Sequence, residues 1–218
     1  MRGKRKRSGG TRGPNRFLRF INRTYCCLWQ RLPQKQRFHL PDGPLILVGN
    51  HLAGVDPLLV QAAVDRPLCF LMSREYYTMF GFRWLFKMVG AIPVNPGGAN
   101  RHALKEVIEA VRAGQAVCLF PEGAANPPVP LQQVLPGTVV LAQETGATVI
   151  PFRITGVWPF DHRHMWTPFL RRGRARIRIG DPVLLPTAAA GAGRGELRKG
   201  VEAIRRAIRQ LRFSGKRS

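Results

Sequence analysis

The chain has 218 residues, 44% of them hydrophobic and 22% charged, which excludes a wholly disordered protein and provides for one domain with a full core. Its 35 Lys and Arg oppose 12 Asp and Glu, a formal charge of +23 that fits an anionic partner, either a membrane surface or nucleic acid. No apolar run approaches the roughly 18 to 20 residues that span a bilayer, and no secretory h-region follows the basic run Arg2 to Arg7, so the chain reads as cytoplasmic and without a transmembrane span.

Residues 1–14 hold almost nothing to bury and read as a flexible basic arm. Over 15–37, Phe17, Leu18, Ile21, Tyr25, Leu28, Trp29 and Leu32 recur at spacings of three and four, with Arg16, Arg19, Arg23 and Arg31 largely between them. That is a basic amphipathic helix, docked either on its own core or at an anionic membrane interface. After the turn Pro41–Asp42–Gly43–Pro44 comes Leu45 to Val48, an apolar run without alternation, as in a strand covered on both faces. Two more such runs, 116–120 and 148–152, each follow a helical pattern. One of those helices carries the stripe Ala103, Leu104, Val107, Ile108, Val111 and stops at Gly114; the other, Val139 to Glu144, closes at Gly146.

Strand, helix, strand is the pattern of an α/β domain with a mostly parallel central sheet flanked by helices. Residues 174–179 alternate Arg with Ala or Ile, the period of a strand near the sheet edge with one wet face. A last helix with the stripe Leu197, Val201, Ile204, Ile208, Leu211 ends the domain, which is taken as 38–213, and 214–218 is a basic tail. Cys26 and Cys27 are adjacent and Cys69 and Cys118 isolated, which suits reduced thiols; His162 and His164 lack companions for a metal set, and no metal is expected.

The segment directly after the first buried strand reads Gly49-Asn50-His51-Leu52-Ala53-Gly54-Val55-Asp56-Pro57. In one regular helix His51 and Asp56 would lie about 140 degrees apart, so the pair works only if His51 precedes the helix. Pro57 favours a first helical turn, which makes Asp56 the expected N-cap and leaves His51 in the loop, able to fold back toward the carboxylate. A carboxylate holding one imidazole nitrogen fixes the tautomer and leaves the other to take a proton from a substrate hydroxyl; alternatively the Asp is a plain cap beside a loop histidine. At the end of a second buried strand stands Phe120-Pro121-Glu122-Gly123, where Glu122 can share a crevice with the first loop and bind an acceptor hydroxyl, or be part of a simple turn.

Together and in this order the two segments resemble the glycerolipid acyltransferase family, typified by lysophosphatidate acyltransferases, whose signature is NHxxxxD followed by FPEG. Gly90-Ala91-Ile92-Pro93-Val94 is similar to the family's middle block and Val149-Ile150-Pro151 to a late one, so the resemblance spans residues 40 to 182. It implies transfer of a fatty acyl group from an acyl-CoA or acyl carrier protein thioester to a lysolipid hydroxyl, with no cofactor. His51 is then the general base, Asp56 its orienting partner, and Asn50, Phe120, Pro121, Glu122, Gly123 and Arg101 bind substrate. No covalent acyl-enzyme is implied, and no serine elbow or activated cysteine offers a nucleophile.

Two family arginines are missing. The middle block continues here as Asn95-Pro96, and Ala124-Ala125 follow FPEG. Arg101, Arg74 or Arg153 can replace them on a phosphate; otherwise the acceptor is a lysophospholipid with a larger head group or a lyso-aminolipid of the ornithine-lipid type. The expected partners are the thioester donor, the lysolipid acceptor and the cytoplasmic face of an anionic membrane, visited peripherally, with no nucleic acid. The competing reading is a basic nucleic-acid-binding protein.

Overall fold

The computed structural model describes residues 14–78, 83–95, 101–123, 131, 134–159, 167–186 and 193–213. The basic arm up to residue 13, the tail at 214–218, Met79, Phe80, Phe82, Phe160, His162, His164, Trp166, Pro96, Ala124 and Ala125 lie outside these residues, as do the side chains of Trp84, Leu85 and Arg101.

Six strands form one sheet in the order β3-β2-β4-β1-β5-β6: β1 Leu45–Gly49, β2 Leu68–Ser73, β3 Ile92–Val94, β4 Ala116–Leu119, β5 Thr148–Thr155 and β6 Arg176–Ile179. All pairings are parallel except β5 with β6, which is antiparallel. Every residue of the central β1 is buried, and its alternate side chains enter opposite layers. Leu45 and Leu47 join the core under α1 (Arg16–Leu28) and α2 (Asp56–Ala63); Ile46 and Val48 join the core under α5 (Arg101–Arg112), α6 (Gly137–Thr145) and α8 (Arg194–Gln210). Short helices α3 (Arg74–Tyr77), α4 (Arg83–Met88) and α7 (Thr167–Leu170) complete the fold. Among the described residues no helix is long and apolar enough to cross a membrane.

The single α/β domain, its buried strands and its wet edge strand β6 are as the sequence pattern requires, but β2 and β3 escape it. β2 reads LCFLMS without β-branched residues, and β3 has only three residues with Pro93 among them, which an edge strand tolerates.

The N-terminal helix is also shorter than 15–37 suggests. Asn15 caps α1 by accepting from the Leu18 N–H at 2.9 Å, and α1 ends at Leu28, after which Arg31 takes a left-handed φ of 54° and Pro33 forbids continuation. The face it docks is polar rather than apolar. Asn22 Nδ2 donates to Leu58 O at 2.8 Å, Arg23 to Ala62 O at 2.5 Å and Arg19 to Asp65 O, while Cys26 packs in the core. Phe17 and Phe20, 68% and 70% exposed, face outward with Ile21 and Leu28.

Where β1 ends, Gly49 passes directly over the Phe152 ring of β5, and any Cβ there would collide with it. Phe152 is fully buried and cannot yield. Gly49→Ala is therefore expected to destabilise the fold by about 1–3 kcal/mol through overpacking, measured by urea unfolding.

Candidate functional site

Parallel register brings the two sequence segments together. Val48 of β1 pairs with Leu119 of β4, so the chains leave the sheet side by side, and His51 and Glu122 each stand three residues beyond that pair. This is the carboxyl end of a parallel sheet, next to the strand where connections diverge to either side, the place where α/β folds bind ligands.

Asp56 lies fully buried at the start of α2. It is not the N-cap that its place before Pro57 suggests. Val55 occupies that position without a side-chain cap, and the Asp56 carboxylate turns back into the preceding loop instead of toward the next helical amides. There its Oδ2 accepts from the backbone N–H of Leu52 at 2.5 Å, from that of Ala53 at 2.8 Å, and meets His51 Nδ1 at 2.9 Å. Three donors compensate the burial of one charged oxygen, and the arrangement assigns the ring proton to Nδ1. His51 Nε2 is then the nitrogen left to accept a proton. The imidazole stacks on Phe120, with ring centroids 4.2 Å apart and planes 21° from parallel, and Phe120 meets Phe152 edge-on at 5.8 Å.

Glu122 sits beside this pair. Its Oε1 accepts from the His51 backbone N–H at 3.3 Å, which ties the two loops directly. Burial raises the Glu122 carboxyl above its ordinary range; the N–H groups of His51 and Leu131 and the charge of His51 oppose the shift, and the Asp56 charge adds to it. Pro121 and Gly123 shape the turn. Pro121 O accepts from the Leu135 N–H at 2.8 Å, and Gly123 takes φ 75°, a left-handed conformation that glycine adopts without penalty.

Asn50 has a use that its place in the motif did not reveal. Its Nδ2 donates to Ile154 O at 3.0 Å and its Oδ1 accepts from the Ile154 N–H at 2.8 Å, so the amide extends the β1–β5 ladder where the backbone of β1 has turned away. Arg74, at the end of β2, donates from Nε to Asn95 Oδ1 at 2.9 Å, just past β3. Of the other candidate cations, Arg153 reaches the opposite layer, donating to Arg209 O at 3.2 Å, and Arg101 opens α5 with its side chain outside the described residues. Cys118, two residues before Phe120, is a free buried thiol whose pKa is pushed up by burial and, less, by the Asp56 charge, which suits packing beneath the pair rather than nucleophilic attack. Among the described residues no group of three or more His, Cys, Asp and Glu is arranged to hold a metal.

The sequence model of the family described as Acyltransferase matches residues 30–155, which contain both loops. The chain belongs to the acyltransferase family. It is 28% identical over 109 residues to a 1-acyl-sn-glycerol-3-phosphate acyltransferase of Borreliella burgdorferi, covering 49% of this chain and 44% of that protein. With the protein of the same name from Streptococcus pneumoniae the identity is 24% over 144 residues, 65% of this chain and 51% of the relative. The chain thus spans about half the length of the curated relatives it matches. The fold resembles the crystal structure of the 1-acyl-sn-glycerophosphate acyltransferase PlsC of Thermotoga maritima, with a TM-score of 0.57 and 22% identity over 89% of this chain and 80% of that one.

Two outcomes separate the scaffolding roles of Asn50 and Glu122 from contacts with a ligand. Asn50→Ala strips partners from both backbone groups of buried Ile154 and is expected to lower unfolding stability by about 2–4 kcal/mol in urea titrations, a loss that a residue touching only substrate would not cause. Glu122→Gln removes a carboxylate whose charged form burial disfavours. With its folded pKa raised, Glu122 opposes folding only where it is ionised, so the variant should match wild type near about pH 4 and gain thermal stability over it as pH rises toward neutrality.

Proposed function

We propose that this acyltransferase-family protein transfers a fatty acyl group from an acyl-CoA or acyl carrier protein thioester to a lysolipid hydroxyl, most simply that of lysophosphatidate, in phospholipid biosynthesis or remodelling. The observation that carries the reading is the buried Asp56 holding His51 Nδ1, with Nε2 left to act as base beside Glu122. The acceptor hydroxyl, held by Glu122, attacks the thioester carbonyl carbon while its proton passes to His51 Nε2. The oxyanion intermediate collapses with cleavage of the C–S bond, and the imidazolium returns its proton to the departing thiolate. No protein nucleophile takes part.

Arg74 takes the acceptor phosphate in this reading. Its Nε bond to Asn95 Oδ1 holds the guanidinium near the block where the family arginine is missing, and the Nη groups remain to fork onto phosphate oxygens. The same loss of family arginines favours a second acceptor class, a lyso-aminolipid without a phosphate. The protein meets its lipid peripherally at the cytoplasmic face of an anionic membrane, with the outward apolar face of α1 toward the lipid.

The test is a mass-spectrometric assay with acyl-CoA or acyl carrier protein and liposomes holding mixed lysolipids. Acylated lysophosphatidate is expected from wild type, with turnover lowered by about 10²–10⁴ in His51→Ala. Arg74→Ala should raise the KM for lysophosphatidate by about tenfold or more with a smaller change in kcat. Full activity in His51→Ala would overturn the mechanism. Acylation of a lyso-aminolipid alone, unaffected by Arg74→Ala, would reassign the acceptor.

A further inference from the structure

We propose that the turn after α7, together with the end of α1, forms a tryptophan–arginine platform that seats on anionic phospholipid head groups and sets the catalytic crevice at the lipid boundary. The inference rests on the reading that the acceptor is a lipid, but its surface is defined independently of the chemistry.

Arg171 and Arg172 are consecutive, and each guanidinium lies over a different indole: Arg171 over Trp158 at 4.7 Å and Arg172 over Trp29 at 5.2 Å. Both indole N–H groups are satisfied by the same turn. Trp29 Nε1 donates to Leu170 O at 3.0 Å and Trp158 Nε1 to Arg172 O at 3.1 Å. Both rings remain exposed, as do Leu170, 70% exposed, which opens the turn and accepts from Trp29, and Leu28 of α1. Among the described residues neither arginine has a carboxylate partner.

Exposed apolar side chains flanked by indoles and capped by weakly hydrated cations suit the interface between head groups and hydrocarbon. Two cations without carboxylate partners beside exposed leucines and indoles match lipid phosphates lying next to hydrocarbon.

The platform is rigid and adjoins the site. Fully buried Gln30 donates from Nε2 to Pro168 O at 2.9 Å and to the Tyr25 hydroxyl at 3.0 Å, and Tyr25 in turn donates to Phe169 O at 2.7 Å. The Phe169 ring lies against Gly54, inside the loop between His51 and Asp56, where a Cβ would come within 3.2 Å of it. The turn that would touch lipid is therefore packed on the loop that holds the base, and a lysolipid entering beside it needs only a short movement out of the bilayer.

The experiment is flotation of the full chain with vesicles of phosphatidylcholine alone and of phosphatidylcholine with phosphatidylglycerol, in the presence of excess duplex DNA. Wild type should float with the anionic vesicles. The double variant Arg171→Glu with Arg172→Glu should bind at least about 25-fold more weakly, from about a factor of five per cation. Arg198→Glu with Arg206→Glu, on exposed positions of α8 in the opposite layer, should cost far less. Equal losses in the two double variants would reduce the binding to diffuse charge attraction and overturn the platform, as would complete competition by DNA.

In the wild-type protein, brominated acyl chains should quench fluorescence that Trp158→Phe removes; absence of that quenching in bound protein also overturns the proposal. His51→Ala should float like wild type. Vesicle binding lost only in the Arg171/Arg172 variant supports the platform even if no lysolipid is acylated, whereas acylation by a protein whose platform variant still binds normally sinks the platform and leaves the enzymatic reading standing.

Discussion

A single carboxylate oxygen organises the site. Asp56 is fully buried, and an ionised carboxylate out of water is tolerable only when donors replace its hydration. Two backbone N–H groups and an imidazole do this at Oδ2, and all three come from the five residues immediately before Asp56 in the chain. The loop must therefore close on the head of α2 for the charge to be buried at all, and closing it swings His51 into register with Glu122. Scaffold and imidazole are one hydrogen-bond system. The oxygen that fixes the loop also fixes the tautomer.

That system is braced by the sheet. Phe152 fills the space that Gly49 leaves empty and stands perpendicular to Phe120, on whose face the His51 ring stacks, so a buried ring on β5 backs the ring that supports the imidazole. Asn50 adds a second brace by carrying strand pairing one residue past the end of β1. Both braces belong to β5, the neighbour of β1 on the side away from β4. The site is thus gripped between two strands, with Glu122 arriving from β4 and the supports from β5.

The contact between His51 and Asp56 was legible in the sequence because its information is local. His51, Asp56 and Pro57 fall within seven residues, and buried apolar runs on either side announce a strand before and a sheet around them. What stayed hidden depends on contacts across the fold. The carboxylate of Asp56 points backward, not forward to a cap, because of amides at Leu52 and Ala53 whose direction only the folded loop defines. Arg74 and Asn95 meet because β2 and β3 are neighbours, and neither strand advertised itself.

The apolar stripe of α1 was visible, but a stripe does not say which side faces the protein. Arginines donating to the carbonyls at the far end of α2 settled that in favour of the polar side. Trp29 lies more than 100 residues from Trp158 and from the two arginines, and the four residues share no motif.

The central claim is that Asp56 holds His51 with its proton on Nδ1 and leaves Nε2 bare. Nitrogen-15 NMR of histidine-labelled protein, with His51 assigned by the resonances lost in His51→Ala, reads that state directly. The account predicts that the neutral ring carries its proton on Nδ1 and leaves Nε2 bare, and that Asp56→Ala loses this tautomer preference. A His51 ring protonated on Nε2, or one exchanging freely between tautomers as a solvent-exposed histidine does, would contradict it.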